Sequence, residues 1–220
     1  MTLSLPTSKE LAYYIDYTFL GADAVTRDIE RICREACENR FFGVCINGCW
    51  VSYAHSLLSG TRIQVVSVAG FPLGAVSTAT KCFEVGCALN NGATEIDAVI
   101  NVGKLIEGDD RYVARELHEI VQTAEGCTVK FIIETCLLTR EQKIRACRLV
   151  AESGAGFVKT STGFSSGGAT VADVKLLHDC AGSSIAVKAS GGIRDADTAR
   201  ALIQAGAKRL GTSSGVAIVK

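Results

Sequence analysis

The sequence predicts an α/β fold: a (β/α)8 TIM barrel that occupies one domain over residues 1–220. Three observations lead there. Eight strand-like segments alternate with helical ones, which implies right-handed βαβ units and a parallel sheet. One punctuation recurs: a helical stretch ends in Gly-Ala and a strand starts within a few residues, at Gly92-Ala93, Gly154-Ala155 and Gly206-Ala207. The glycine-rich loops cluster late in the chain. A doubly wound open sheet is the alternative. It carries its glycine fingerprint after the first strand, and Asp16-Tyr17-Thr18-Phe19-Leu20 shows none. The 220 residues lie near the short end of the barrel range. Only two prolines occur and no Ser/Pro-rich linker separates two halves.

The elements follow in order. A strand over 13–18 leads into a helix over 24–39, where Cys33 and Cys37 read as small apolar packing residues. A strand over 43–47 and a helix over 50–59 come next. The strand over 63–69 is cut off by Gly70-Phe71-Pro72-Leu73-Gly74, and a helix over 77–91 follows. Gly92 reads as its left-handed C-terminal stop. In the strand over 94–101, Ile96, Ala98 and Ile100 share one face, which should meet the helices. Asp97 and Asn101 then point into the barrel. A helix over 109–125 and a strand over 128–134 precede Thr139-Arg140-Glu141-Gln142, a capping box for a helix over 139–153. In the strand over 156–161, Phe157, Lys159 and Ser161 share a face. Thr170-Val171-Ala172-Asp173, an acidic variant of the capping box, opens a helix over 170–181. A strand over 184–189 follows, and Asp195 caps a helix over 195–205. After the last strand, over 208–212, Ser213-Ser214 precede a short helix at Val216-Ala217-Ile218-Val219.

Composition narrows the function. Lys plus Arg equal Asp plus Glu, at 23 each, so no basic excess points to nucleic acid. Met1 to Glu10 holds no apolar signal-peptide core, and the uncharged stretch Ile63 to Thr80 is interrupted by glycine and proline. The expectation is a cytoplasmic protein with no membrane partner. Its ten cysteines are then reduced. No Cys-x-x-Cys pair occurs and His55, His118 and His178 are scattered, so no metal is expected.

The chemistry is carried by lysines in apolar strands, Phe157-Val158-Lys159-Thr160 and Val187-Lys188-Ala189-Ser190. Lysine is almost never fully buried without a partner or a purpose. A free lysine is neutral only about 0.04% of the time at pH 7. Desolvation and a second ammonium nearby favour the neutral amine, which is the nucleophile of a Schiff-base enzyme. Asp97 on the inward face could hold an ammonium and relay protons through water; the structural alternative is a plain Asp–Lys pair. Three loops suit a phosphate: Ser161 to Gly168, Ser190 to Arg194 and Gly211 to Gly215. Their glycines let backbone N–H groups approach an anion and their serines donate. In barrels, phosphate commonly binds after strands seven and eight.

These residues, with Val44-Cys45-Ile46-Asn47, Gly70 to Ala75, Glu95 to Asn101, Phe131 to Thr135, Val158 to Phe164, Val187 to Arg194 and Gly211 to Gly215, give the chain its resemblance to the deoxyribose-phosphate aldolases. That is a family of class I aldolases, and the resemblance runs from Ile15 to Val219. It implies a barrel needing no cofactor and no metal. It implies reversible cleavage of 2-deoxy-D-ribose 5-phosphate to D-glyceraldehyde 3-phosphate and acetaldehyde. Lys159 matches the imine-forming lysine, Lys188 the lysine that tunes it, and Asp97 the acid/base carboxylate. Asp16, Cys45 and Thr162 match substrate-side positions. Gly163, Gly191, Gly192, Ser213 and Ser214 match the phosphate cradle. The expected partners are a sugar phosphate and further copies of the chain, as a homodimer or homotetramer.

Two departures stand out. Tyr17 occupies a position where many members have histidine, which should alter pocket detail. The chain stops at Val219-Lys220, without the C-terminal tyrosine tail of some members, so proton relay is expected to run through water, Asp97 and Lys188. Two alternatives remain: a lysine aldolase or transaldolase acting on another sugar phosphate, and a catalytically silent phosphosugar-binding relative.

Overall fold

Eight strands pair strictly in chain order, and the last closes on the first. They are β1 (Ile15–Phe19), β2 (Gly43–Ile46), β3 (Gln64–Ala69), β4 (Glu95–Val99), β5 (Thr128–Ile132), β6 (Phe157–Lys159), β7 (Ala186–Ser190) and β8 (Ala207–Thr212). Every pairing is parallel, including β8 on β1 through Asp16 and Gly211. This is the computed structural model of residues 6–220. The open-sheet alternative is thereby excluded.

The α-helices are α1 (Ser8–Leu11), before β1, α2 (Thr26–Asn39), α3 (Val51–Leu58), α4 (Thr78–Asn90), α5 (Val102–Glu107), α6 (Asp110–Thr123), α7 (Arg140–Glu152), α8 (Val171–Ala181), α9 (Ala196–Gln204) and, after β8, α10 (Gly215–Val219). The caps act as their sequences suggest. The side chains of Thr139, Thr170 and Asp195 accept from the backbone N–H groups of Gln142, Asp173 and Thr198. Gly92, Gly154 and Gly206 all have positive φ just past a helix end. The periodicity does not reveal α1 or α5. Strand β4 stops at Val99, and Asn101 caps α5 by accepting from the N–H of Lys104 at 3.0 Å. Asn101 therefore does not enter the barrel; only two alternating positions after Glu95 remain in the strand.

The main core lies between barrel and helices. Ile96, Ala98 and Ile100 from the β4 segment join it, as do Val158, Val187 and Leu210, packed against Ile29, Val85, Leu117 and Leu177 of the helices. Alternation then turns the intervening residues inward. Cys33 belongs to this core, whereas Cys37 is exposed. Tyr17 also faces outward, its ring tilted against that of Phe41 and its hydroxyl donating to Glu35 Oε2 at 2.6 Å. The expectation that Tyr17 alters the pocket is corrected: its odd position in β1 places it on the wrong face. Among the described residues no helix is long and apolar enough to cross a membrane.

Candidate active site

The inward positions of six strands bring seven charged side chains into the centre of the barrel. Asp97 lies beside Lys130 in the β4–β5 register, and Lys159 beside Lys188 in that of β6–β7. Asp97 is the hub. Its Oδ2 accepts from Lys159 at 2.6 Å and from Lys188 at 2.7 Å, and its Oδ1 accepts from Lys130 at 2.9 Å. Lys130 also pairs with Glu95 at 2.7 Å. Arg209 bridges Glu95 at 3.0 Å and Asp16 at 2.9 Å, and Asp16 pairs in turn with Lys188. Lys188 reaches Asp16 by crossing β8 at Gly211. A Cβ on that residue would lie 3.3 Å from Lys188 Cε and would clash with Ser190 Oγ, so only glycine leaves the path open.

The charge balance of this cluster is unequal. Three carboxylates (Asp16, Glu95, Asp97) face four cations (Lys130, Lys159, Lys188, Arg209). Fully ionised, the cluster carries one surplus positive charge in a buried place. Burial opposes ionisation of Asp97, yet Lys130, Lys159 and Lys188 outweigh it and hold its carboxyl well below the usual range. Asp16 is lowered too, by Lys188, Lys130 and Arg209 against burial. Burial likewise opposes the charge on Lys188, but Asp16 and Asp97 hold its ammonium above the ordinary lysine range. Lys188 is thus a committed cation. Of the seven, only Lys159 lines the cavity above.

That cavity, about 360 Å³, opens at the C-terminal ends of the strands. Thr162, Gly163, Gly191, Gly192 and Ser213 line it together with Lys159. Gly163, Gly191 and Gly192 all adopt positive φ, 86°, 90° and 79°, conformations that suit glycine. Asp97, Lys188 and Asp16 are wholly buried beneath it. Cys45 is also buried, in a small apolar cluster with Leu20, Val66 and Val68, its Sγ 4.0 Å from Asp97 Oδ2. Burial first, and then Asp97, push its thiol up to about 11. Ser214 does not line the cavity; its N–H donates to Thr212 Oγ1 at 2.9 Å and it precedes α10.

Sequence reading missed four residues of this site. Lys130 sits in Thr128-Val129-Lys130-Phe131-Ile132, the same lysine-in-apolar-strand signal as Lys159, and that signal could have found it. Glu95 and Arg209 lie on inward faces, and Arg209 stacks over Phe42 at 3.3 Å. Glu134, buried just past β5 with φ 53°, accepts from the N–H of Thr162 at 3.3 Å and from its hydroxyl. Arg194 lines the cavity rim beside the β7 and β8 loops. Among the described residues, no cluster of three or more His, Cys, Asp or Glu side chains is arranged to hold a metal ion.

Comparison with known proteins identifies the family and the fold. Residues 11–220 match the family described as DeoC/LacD family aldolase. A deoxyribose-phosphate aldolase of Alkaliphilus oremlandii is 55% identical over 210 residues, 95% of each chain. One from a Geobacillus species is 53% identical, covering 96% of this chain and 95% of the relative. Among solved structures, the aldolase QR15 superposes with a TM-score of 0.92 at 38% identity, over 96% of this chain and 94% of its own. The deoxyribose phosphate aldolase of Aeropyrum pernix, described as tetrameric, gives 0.91 at 32% identity over 97% and 91%.

Proposed function

The chain belongs to the DeoC/LacD aldolase family, and from that membership we propose that it is a deoxyribose-phosphate aldolase, a lyase that cleaves 2-deoxy-D-ribose 5-phosphate reversibly through an imine on Lys159. The observation that carries the assignment of roles is the shared oxygen: Lys159 and Lys188 both bond to Asp97 Oδ2, and only Lys159 meets the cavity.

The amine of Lys159 attacks C1 of the open-chain aldehyde, and the carbinolamine loses water to give an imine. Protonated, the imine accepts the electron pair of the C2–C3 bond as a base removes the proton of the C3 hydroxyl. D-Glyceraldehyde 3-phosphate departs with C3 to C5. The enamine takes a proton at C2, and hydrolysis releases acetaldehyde and the lysine. Asp97 is placed to pass protons between Lys159 and Lys188 because one of its oxygens touches both. Lys188 stays charged and disfavours a second ammonium beside it. Asp16, with Arg209, anchors Lys188. Thr162 and the apolar wall that includes Cys45 shape the substrate side.

The phosphate goes to the opposite rim, against the glycine loops at Gly163 and Gly191-Gly192 and against Ser213, with the Arg194 guanidinium for charge. Its distance from the breaking bond lets its binding energy position the reacting carbons. Ser214 stands outside this cradle: Thr212 already holds its N–H, and it directly precedes α10. On this reading the whole chain works as one domain in the cytoplasm, as a homodimer or homotetramer. The exposure of Leu73 (77%) and Phe83 (73%) supports an oligomer.

The test is borohydride reduction in the presence of acetaldehyde, followed by peptide mapping. A two-carbon adduct is expected on the Lys159 peptide, and Lys159→Arg should trap nothing. An adduct on Lys188 or Lys130, with Lys159→Arg still active, would overturn the assignment.

A further inference from the structure

The chain has ten cysteines, and the reaction proposed above uses none of them as a reacting group. One pair is set apart by its hydrogen bonds. Cys147, in α7, donates to the carbonyl of Leu177 at 3.6 Å, and Cys180, in α8, donates to the carbonyl of Ile144 at 3.6 Å. Each acceptor lies three residues before the other cysteine, one turn back on the facing helix. The thiols of Cys45 and Cys136 bond instead to Asp97 and to Glu134 and Ser165.

This reciprocal crossing has a geometric consequence. The Cα–Cβ bond of a helical residue tilts towards the helix N-terminus, so its side chain covers the turn before its own Cα. The Cys180 side chain therefore leans over the turn of Leu177, where the Cys147 sulfur sits. The Cys147 side chain leans over the turn of Ile144, where the Cys180 sulfur sits. The two sulfurs converge on one place between α7 and α8. Burial first, and then the Cys180 thiol through its charge and a hydrogen bond, push the Cys147 thiol up to about 12. Cys147 is wholly buried in the main core, whereas Cys180 packs against that core and is partly exposed. A small oxidant can reach the second sulfur and not the first.

We propose that Cys147 and Cys180 form a modification site, a dithiol that a hydroperoxide converts to a disulfide joining α7 to α8. With hydrogen peroxide as the oxidant, the Cys180 sulfur attacks one peroxide oxygen and the O–O bond breaks. The thiol proton goes to the departing oxygen, leaving a sulfenic acid and one water. The Cys147 sulfur then attacks the Cys180 sulfur, and its proton leaves with the displaced hydroxyl as a second water. The two thiols lose two electrons in all, and the peroxide gains them. The ring that closes contains β6 with Lys159 and the glycine loop Ser161 to Gly168. Such a cross-link restricts the unfolded chain. Cys180 lies one residue from the end of α8, which leads to the start of β7, whereas the cavity opens where the strands end. The bond should therefore raise stability and leave the cavity as it is.

The experiment treats the folded protein with hydrogen peroxide, blocks the remaining thiols and digests it with trypsin without reductant. Cleavage at Arg145, Arg148, Lys175 and Lys188 frees peptides 146–148 and 176–188. They should appear joined, two hydrogen masses below their sum. The unfolding midpoint should rise by about 5–10 °C on oxidation and return on reduction with a phosphine. Cys180→Ser, treated identically, should show neither the joined peptides nor the rise, which separates the pair from oxidation of the exposed Cys37, Cys49, Cys87 and Cys136. Cys147→Ala should retain a sulfenic acid on Cys180, recorded as its dimedone adduct. Absence of the joined peptides from the wild-type digest would overturn the proposal. So would a midpoint that falls as the bond forms, or an equal rise in Cys180→Ser. Mass and midpoint are read without turnover, so the outcome is independent of the aldolase reading.

Discussion

Replacing Lys188 by methionine removes a committed cation while keeping most of the bulk, and the consequence can be worked from the geometry. Lys159 and Lys188 bond to the same oxygen of Asp97, at 2.6 and 2.7 Å, so their ammonium groups are no farther apart than these two bonds end to end. Two unit charges at about 5 Å repel by about 3.3 kcal/mol at an effective dielectric constant of about 20. That energy corresponds to about 2.4 pH units. In Lys188→Met the repulsion is gone and Lys159 holds Asp97 Oδ2 alone. The acid limb of the rate–pH profile should move up by about two units, and kcat near pH 7 should fall on the order of 10²-fold. Activity should recover substantially towards pH 9.5. The assay is cleavage of deoxyribose 5-phosphate from pH 5 to 10, read by reduction of the released triose phosphate, with the unfolding midpoint measured on the same sample. Breaking a buried ion pair costs about 3–5 kcal/mol, but a folded variant still reports its limb position. A profile that keeps its shape and falls by the same factor at every pH would refute the electrostatic role and leave Lys188 as a proton carrier alone.

The Asp97→Asn variant should fail twice over. Its kcat should drop on the order of 10²-fold or more for want of a proton carrier. Three ammonium groups also lose their common carboxylate, so the midpoint should fall by the equivalent of about 3–5 kcal/mol; a normal kcat with a lowered midpoint would make Asp97 purely structural. Wild-type stability should also depend on acid through this residue. Burial opposes the charge, but the three lysines depress the folded-state pKa. The contribution is therefore fully present above the ordinary carboxylate value of about 3.9 and is lost as pH falls through the lower folded value. The acid-unfolding curve of Asp97→Asn should be correspondingly shallower. Ser213→Asp, at the cavity rim, should raise KM for the phosphorylated sugar by like-charge repulsion and spare unphosphorylated deoxyribose; equal loss on both would place the phosphate elsewhere.

The sequence by itself determined what depends on near neighbours. Strand alternation in Glu95-Ile96-Asp97-Ala98 settled which face meets the helices, because a period of two admits no other arrangement once one face is apolar. Thr139, Thr170 and Asp195 announced helix starts because each cap spans only four consecutive residues. Lys159 and Lys188 were legible as lysines in apolar strands, and Lys130 carried the same signal. The limits of local reading appear at Asn101, where a helix cap competed with one more strand residue and won.

Tertiary structure decided what depends on barrel closure. Asp16 meets Arg209 and Lys188 only because β8 returns to β1, a pairing of residues far apart in the chain. The surplus positive charge exists only in that closed cluster. So does the role of Gly211, which a sequence shows as one more loop glycine and the fold shows as the gap through which Lys188 reaches Asp16. Whether a hydroxyl is free or taken is also a three-dimensional property. Thr162 and Ser190 are both small polar residues in glycine-rich stretches, but Glu134 saturates one and nothing in the barrel satisfies the other. Hydrogen-bond satisfaction depends on atoms within about 3 Å, and in a parallel barrel those atoms come from strands whose neighbours in space are set by stagger and closure rather than by the order of residues along one segment.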